Sequence, residues 1–93
     1  MPMSASLPSL RQLIDRIDRK LVGLLNQRAA LARQVGQVKR RRRLPVFDGR
    51  REQAVLRQVT RTSRGPLPAR SLRAVFREIL RQNRKLEASS STR

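Results

Sequence analysis

Two cations, Arg28 and Lys39, are set into the apolar seam of a long helical stretch. Leu10, Ile14, Ile17, Leu21, Leu24, Leu31, Val35 and Val38 recur at alternating steps of four and three, and the one missing step falls on Arg28. Lys39 follows eleven residues later. That is close to three full turns, so the two cations share a face about 16 Å apart, with Ala32 and Val35 between them. They can flank a small anion, and the short side chain of Ala32 leaves it room. Either the Arg28 head snorkels to water, or it is buried and requires a carboxylate, a phosphate or a ligand as partner, because a lone buried guanidinium is strongly unfavourable. The only acids of this stretch, Asp15 and Asp18, lie more than two turns from Arg28.

Other polar residues also sit where the helical pattern expects apolar ones. Arg51 and Glu52 fall in the first turn of a second helical stretch, just after Asp48, and Asn83 takes a seam position on a third, with Glu87 one turn on. Together with Arg11 they make a set of four cations (Arg11, Arg28, Lys39, Arg51), three acids (Asp48, Glu52, Glu87) and one amide, which reads as a polar pocket inside a helical bundle. The sequence contains no Cys, His, Trp or Tyr. Thiol and imidazole nucleophiles, imidazole bases, disulfides and the usual zinc and copper ligands are therefore excluded. An enzyme with this inventory works by positioning and electrostatics, and no metal site is expected.

The elements that must hold these residues follow from the same periodicity. One helix is predicted from Leu7 to about Arg43, with Pro8 and Ser9 at its start. At about 50 Å it is longer than a 93-residue chain needs to cover itself, which argues for a partner. Gly23 and Gly36 interrupt it, and Gly23 in particular is expected to admit a second helix. Arg40 to Arg43 read as a solvated helix end that complements the C-terminal dipole. Pro45 then breaks the helix. Asp48 is the natural N-cap of a second helix running to about Thr62. Residues 63–68 form a turn by composition, and a third helix carries Leu72, Phe76, Ile79, Asn83 and Leu86 as its stripe. The predicted fold class is all-α, with one long, one short and one medium helix. Residues 1–6 are expected to be a flexible lead, 7–87 the domain, and 88–93 a disordered, low-complexity tail.

The net charge of +17 is the footprint of a nucleic-acid binder. Against that reading stand only two aromatics for base stacking, Phe47 and Phe76, and the lack of a zinc-finger or short helix-turn-helix pattern. No run approaches eighteen apolar residues, and the first six residues lack the features of a signal peptide, so a cytoplasmic protein is expected, with no membrane partner.

Arg11 precedes Arg28 by seventeen residues, about 25 Å along the axis and roughly 100° around it, so one chain cannot bring both to a small ligand. Two antiparallel copies can. Here the sequence resembles the all-helical class of chorismate mutases. The likeness runs over Leu10-Arg11, Ile14 to Asp18, Leu24 to Arg28, Val35 to Lys39, Pro45 to Glu52 and Phe76 to Ile79. The resemblance implies three helices per chain interlocked into an intertwined homodimer, chorismate as substrate, and no cofactor. It further implies that Arg28 and the other chain's Arg11 hold the two substrate carboxylates, that Lys39 donates to the ether oxygen with Glu87 beside it, and that Asp48 and Glu52 meet the ring hydroxyl. Arg51 and Asn83 support the carboxylate end. Asn83 stands where many relatives have Ser, and Glu87 where many have Gln. To donate a hydrogen bond there, Glu87 must carry its proton.

Other readings differ in substrate or in class. An isochorismate pyruvate lyase shares the fold and the cations, but Asp48-x-x-Arg51-Glu52 is the mutase-like pattern. A mutase of 4-amino-4-deoxychorismate has the same motifs. A subunit dependent on a larger shikimate-pathway enzyme is a further reading. A basic helical nucleic-acid-binding module leaves Arg28 and Lys39 in the seam without a reason, and specific nucleic-acid binding is not expected.

Overall fold

A computed structural model describes residues 6–89 as three helices, α1 (Leu7–Arg41), α2 (Gly49–Thr62) and α3 (Ala69–Ser89). The all-α class and the order long, short, medium agree with the periodicity. The Ser6 hydroxyl accepts from the Ser9 backbone N–H at 3.2 Å and caps α1, and Pro8 falls in the first turn, where its missing N–H costs nothing. Ser6 is therefore an ordered cap rather than part of a loose lead. At the other end α3 continues through Ala88 and Ser89, two residues past the expected boundary. Alanine favours the helix, and the Ser89 hydroxyl donates back to the Leu86 carbonyl at 3.1 Å. The rest of the expected lead and tail, residues 1–5 and 90–93, lies outside the described residues.

Helix α1 stops two residues short of the expected Arg43, and its end is specific. Arg42 is the C-cap, and Arg43 takes the left-handed conformation with φ 56°. The Arg43 N–H bonds the Arg40 carbonyl at 3.1 Å, and the Leu44 N–H bonds the Lys39 carbonyl at 2.8 Å. These two bonds define a Schellman motif, which usually places glycine where Arg43 stands. The chain turns back through Pro45 and reaches Asp48, whose carboxylate accepts from the Arg51 backbone N–H at 3.0 Å and caps α2 as expected.

Helix α3 lies between the other two and packs on both. On the α2 side, Val55, Leu56 and Leu80 are buried, with Val59 and Phe76 packed against them. On α1 the buried positions are Ala32 and Gly36, four residues apart. Gly36 is thus the buried glycine of α1, whereas Gly23 is exposed. A Cβ at Gly23 would meet nothing within 4 Å.

The molecule is elongated, measuring 61 × 27 × 15 Å. Its radius of gyration of 17.2 Å exceeds the roughly 12 Å of a compact chain this size. Every residue from Leu7 to Gln27 is exposed, and the stripe residues Leu10, Ile14, Ile17, Leu21 and Leu24 are 44–60% exposed. No helix among the described residues is long and apolar enough to cross a membrane.

The left-handed Arg43 generates a stability prediction. Replacing it with glycine removes a Cβ clash worth about 1 kcal/mol, whereas Arg43→Ala removes the same charge and keeps the clash. At fixed protein concentration, the urea midpoint of Arg43→Gly is expected above that of Arg43→Ala. Equal midpoints would mean that the turn is unstrained.

Candidate active site

The three helices line an open cavity of about 420 Å³, within the range of small-molecule sites. Seven of the eight expected site residues line it: Arg28 and Lys39 from α1, Asp48, Arg51 and Glu52 from the start of α2, and Asn83 and Glu87 from α3. Ala32 and Val35 lie on its wall between the two α1 cations, as their spacing requires. The eighth, Arg11, does not reach it. It sits on the exposed first half of α1, with nearly five turns of helix separating it from Arg28.

Arg28 donates from Nη1 to the side-chain carbonyl of Asn83, which is only 7% exposed. The Arg28 pKa is pushed below its ordinary value, first by burial and then by the positive charge of Arg51, with Glu87 acting in the opposite direction. Neither Arg28 nor Arg51 forms an ion pair among the described residues. Two cations thus face one cavity, with an amide rather than a carboxylate against the more buried one. An anionic ligand relieves both their mutual repulsion and the desolvation.

Lys39 is held differently. Its ammonium donates to Glu87 Oε1 at 2.7 Å and to the Val46 backbone carbonyl at 2.6 Å, and the Lys39 and Glu87 side chains are 17% and 14% exposed. An ammonium has three N–H donors, so these two acceptors leave one for a ligand. The Schellman turn makes this arrangement possible: the Lys39 carbonyl anchors Leu44, and two residues later the Val46 carbonyl returns to the Lys39 side chain. In this arrangement Glu87 accepts a hydrogen bond, so it orients Lys39, and donation to a ligand would require a proton on it.

Sequence reasoning missed Arg84 and Leu80. Arg84 lines the cavity and donates from Nη1 to both oxygens of Glu52, 2.6 Å from Oε1. Leu80 is buried on the cavity wall. Both lie outside a single-sided stripe of Leu72, Phe76, Ile79, Asn83 and Leu86, because α3 is covered on two sides and buries a wider arc. The spacing Leu80, Arg84, Glu87 was the available signal, a second helical row beside the first. The Val46 carbonyl is a backbone group that side-chain patterns do not reveal.

The cavity thus combines four cations (Arg28, Lys39, Arg51, Arg84) with three carboxylates (Asp48, Glu52, Glu87), a net charge of one positive from this chain. It contains donors at both ends and an apolar wall of Leu31, Val35, Val55 and Leu80. Such a site binds an organic anion, orients it, and stabilises negative charge that develops near Lys39.

Comparison with known proteins places this arrangement in a family. The pattern of the family described as "Chorismate mutase type II" matches residues 10–88. The bifunctional chorismate mutase/prephenate dehydratase of Aquifex aeolicus is 36% identical over 78 residues, 80% of this chain and 22% of that protein. The protein of the same name from Neisseria gonorrhoeae is 40% identical over 70 residues, 75% of this chain and 19% of that protein. The chain thus spans about a fifth of the length of these curated relatives. The solved structure of chorismate mutase (Form II) from Thermus thermophilus superimposes with a TM-score of 0.87 at 32% identity, covering 88% of this chain and 93% of that one. Family pattern, relatives and superposition agree over the helices that build the cavity, and the chain belongs to the chorismate mutase type II family.

Proposed function

We propose that the protein converts chorismate to prephenate in aromatic amino acid biosynthesis. The observation that carries this reading is the cavity that gathers Arg28, Lys39, Arg51, Asn83 and Glu87 in a chain of this family. The reaction is an intramolecular [3,3] rearrangement: the ether C–O bond breaks as a C–C bond forms, with no nucleophile, metal or cofactor required. The protein has to select the compact conformer of a dianion and stabilise the oxygen that gains negative charge. Arg28, fixed by Asn83 and with Arg51 nearby, receives a carboxylate. The third N–H of Lys39 serves the ether oxygen, with Glu87 and the Val46 carbonyl fixing the ammonium. Asp48 and Glu52 receive the ring hydroxyl.

The working unit in this reading is a homodimer. The uncovered stripe from Leu10 to Leu24 supports it, since an apolar surface of this extent is unusual on a monomer. The charge of the site supports it as well. One net positive charge from this chain becomes two when Arg11 of a second copy joins, matching a dianionic substrate. The relatives named as bifunctional with prephenate dehydratase make an enzyme of the same pathway the natural class of any larger partner.

Mixing the purified protein with chorismate, isochorismate or 4-amino-4-deoxychorismate and identifying the products tests the reading. Prephenate from chorismate is expected, and pyruvate release from isochorismate would indicate the lyase instead. Lys39→Ala is expected to lower kcat by a hundredfold or more, about 3 to 4 kcal/mol, with a much smaller change in KM. A change confined to KM would make Lys39 a binding residue only. Arg11→Ala and Arg28→Ala chains, each inactive alone, are expected to regain activity when refolded together, because some heterodimers carry one intact site. Failure to recover would exclude a site shared between chains.

A further inference from the structure

Arg84 is a charged residue of the cavity that the reaction, as derived above, does not use. Its guanidinium lies 5.4 Å from the centroid of the Phe47 ring, and its Nη1 donates to both oxygens of Glu52. The ring also lies close to the first residue of α2: a Cβ at Gly49 would come within 3.2 Å of two Phe47 ring carbons. Phe47, Arg84 and Glu52 thus form one stacked and paired unit joining the loop before α2 to α3. Glu52 and Arg84 also line a second, more open cavity of about 340 Å³ on the far side, so the pair is the wall between the two. The side chains of Arg84 and Glu52 are 31% and 20% exposed, which leaves their charges only partly screened by water.

This placement bears on which ring substituent the site accepts. Asp48, the N-cap of α2, and Glu52 in its first turn both line the cavity, so two carboxylates enter it from the same end of one helix. Left alone, they would favour a cationic group. Arg84 neutralises one of them with a single nitrogen. Each carboxylate oxygen has two lone pairs, so Glu52 keeps acceptor capacity for a hydroxyl donor. An ammonium at the same point would keep only Asp48 as an uncompensated carboxylate and would meet the Arg84 guanidinium beside the neutralised Glu52, and repulsion of like charge is a strong means of rejecting a wrong partner.

We infer that Arg84 is a specificity-determining residue: through its ion pair with Glu52 it makes the site prefer a substrate bearing a ring hydroxyl over the analogue bearing an ammonium in its place. The inference rests on the proposed reading, in which Glu52 meets the ring substituent.

The test is the ratio of kcat/KM for chorismate to that for 4-amino-4-deoxychorismate, measured at neutral pH in the wild type, Arg84→Lys, Arg84→Gln and Glu52→Gln. The wild type is expected to favour chorismate, and Arg84→Lys, which retains the charge, to stay close to it. Arg84→Gln is expected to lower the ratio about tenfold or more. Glu52→Gln leaves Arg84 unpaired and is expected to raise the ratio. A merely structural role for the pair would change both variants in the same direction, and that result, or a ratio unchanged in both, overturns the inference. Should Arg84→Gln not fold, the direction of change in Glu52→Gln decides. Wild-type conversion of both substrates with equal efficiency would overturn the role of Arg84 while leaving the mutase reading intact. Conversion of neither would overturn both.

Discussion

The contact between Arg28 and Asn83 sets the terms for the rest of the cavity. A guanidinium drawn out of water needs its donors satisfied, and the usual solution in a helical bundle is a carboxylate. Asn83 supplies only a neutral carbonyl oxygen, so the charge of Arg28 survives burial and is opposed by Arg51 on the other wall. The contact also fixes the distance between α1 and α3, since Asn83 must come within hydrogen-bond reach of α1. Ala32, one turn from Arg28 and itself buried on the cavity wall, leaves room for that approach. An aspartate at position 83 would satisfy Arg28 better and cancel much of its charge toward a ligand. The amide therefore trades local stability for a cation left available to substrate.

Lys39 is governed by the turn that follows it. Its carbonyl receives the Leu44 N–H of the Schellman motif, and its ammonium meets the Val46 carbonyl on the returning chain. The same short reversal ends α1, orients the ammonium and delivers Asp48 as the cap of α2, which brings Arg51 and Glu52 over the cavity. A left-handed conformation at Arg43 is the local cost of this compact reversal. The loop is thus part of the site, and packing alone does not account for its shape.

What can be read from the sequence divides along physical lines. Periodicity exposes Arg28, Lys39 and Asn83, because a polar residue in an apolar stripe stands out against a regular background. The cap at Asp48 is legible because capping is local chemistry. Arg84 and Leu80 escape a one-sided stripe, since α3 packs on two neighbours and buries a wider arc. The Val46 carbonyl escapes because any residue type offers the same oxygen. The helix contact expected at Gly23 is not made within the chain, where a Cβ would meet nothing within 4 Å, since glycine signals a possible close approach without naming its partner.

The exposed half of α1 ties stability and chemistry to one surface in the homodimer reading. Its stripe from Leu10 to Leu24 has no cover within the chain, and Arg11, the one expected site residue that misses the cavity, lies on the same stretch of helix. Covering the stripe with a second copy would bury apolar surface at about 25 cal/mol per Å² and, in antiparallel register, would carry Arg11 toward the other chain's Arg28. Folding and completion of the site then become a single event. In that reading a chain that buries so little of α1 by itself would depend on protomer concentration for its stability, and a site that takes Arg11 from a second copy would depend on it for activity. The uncovered length of α1 would then serve both requirements at once.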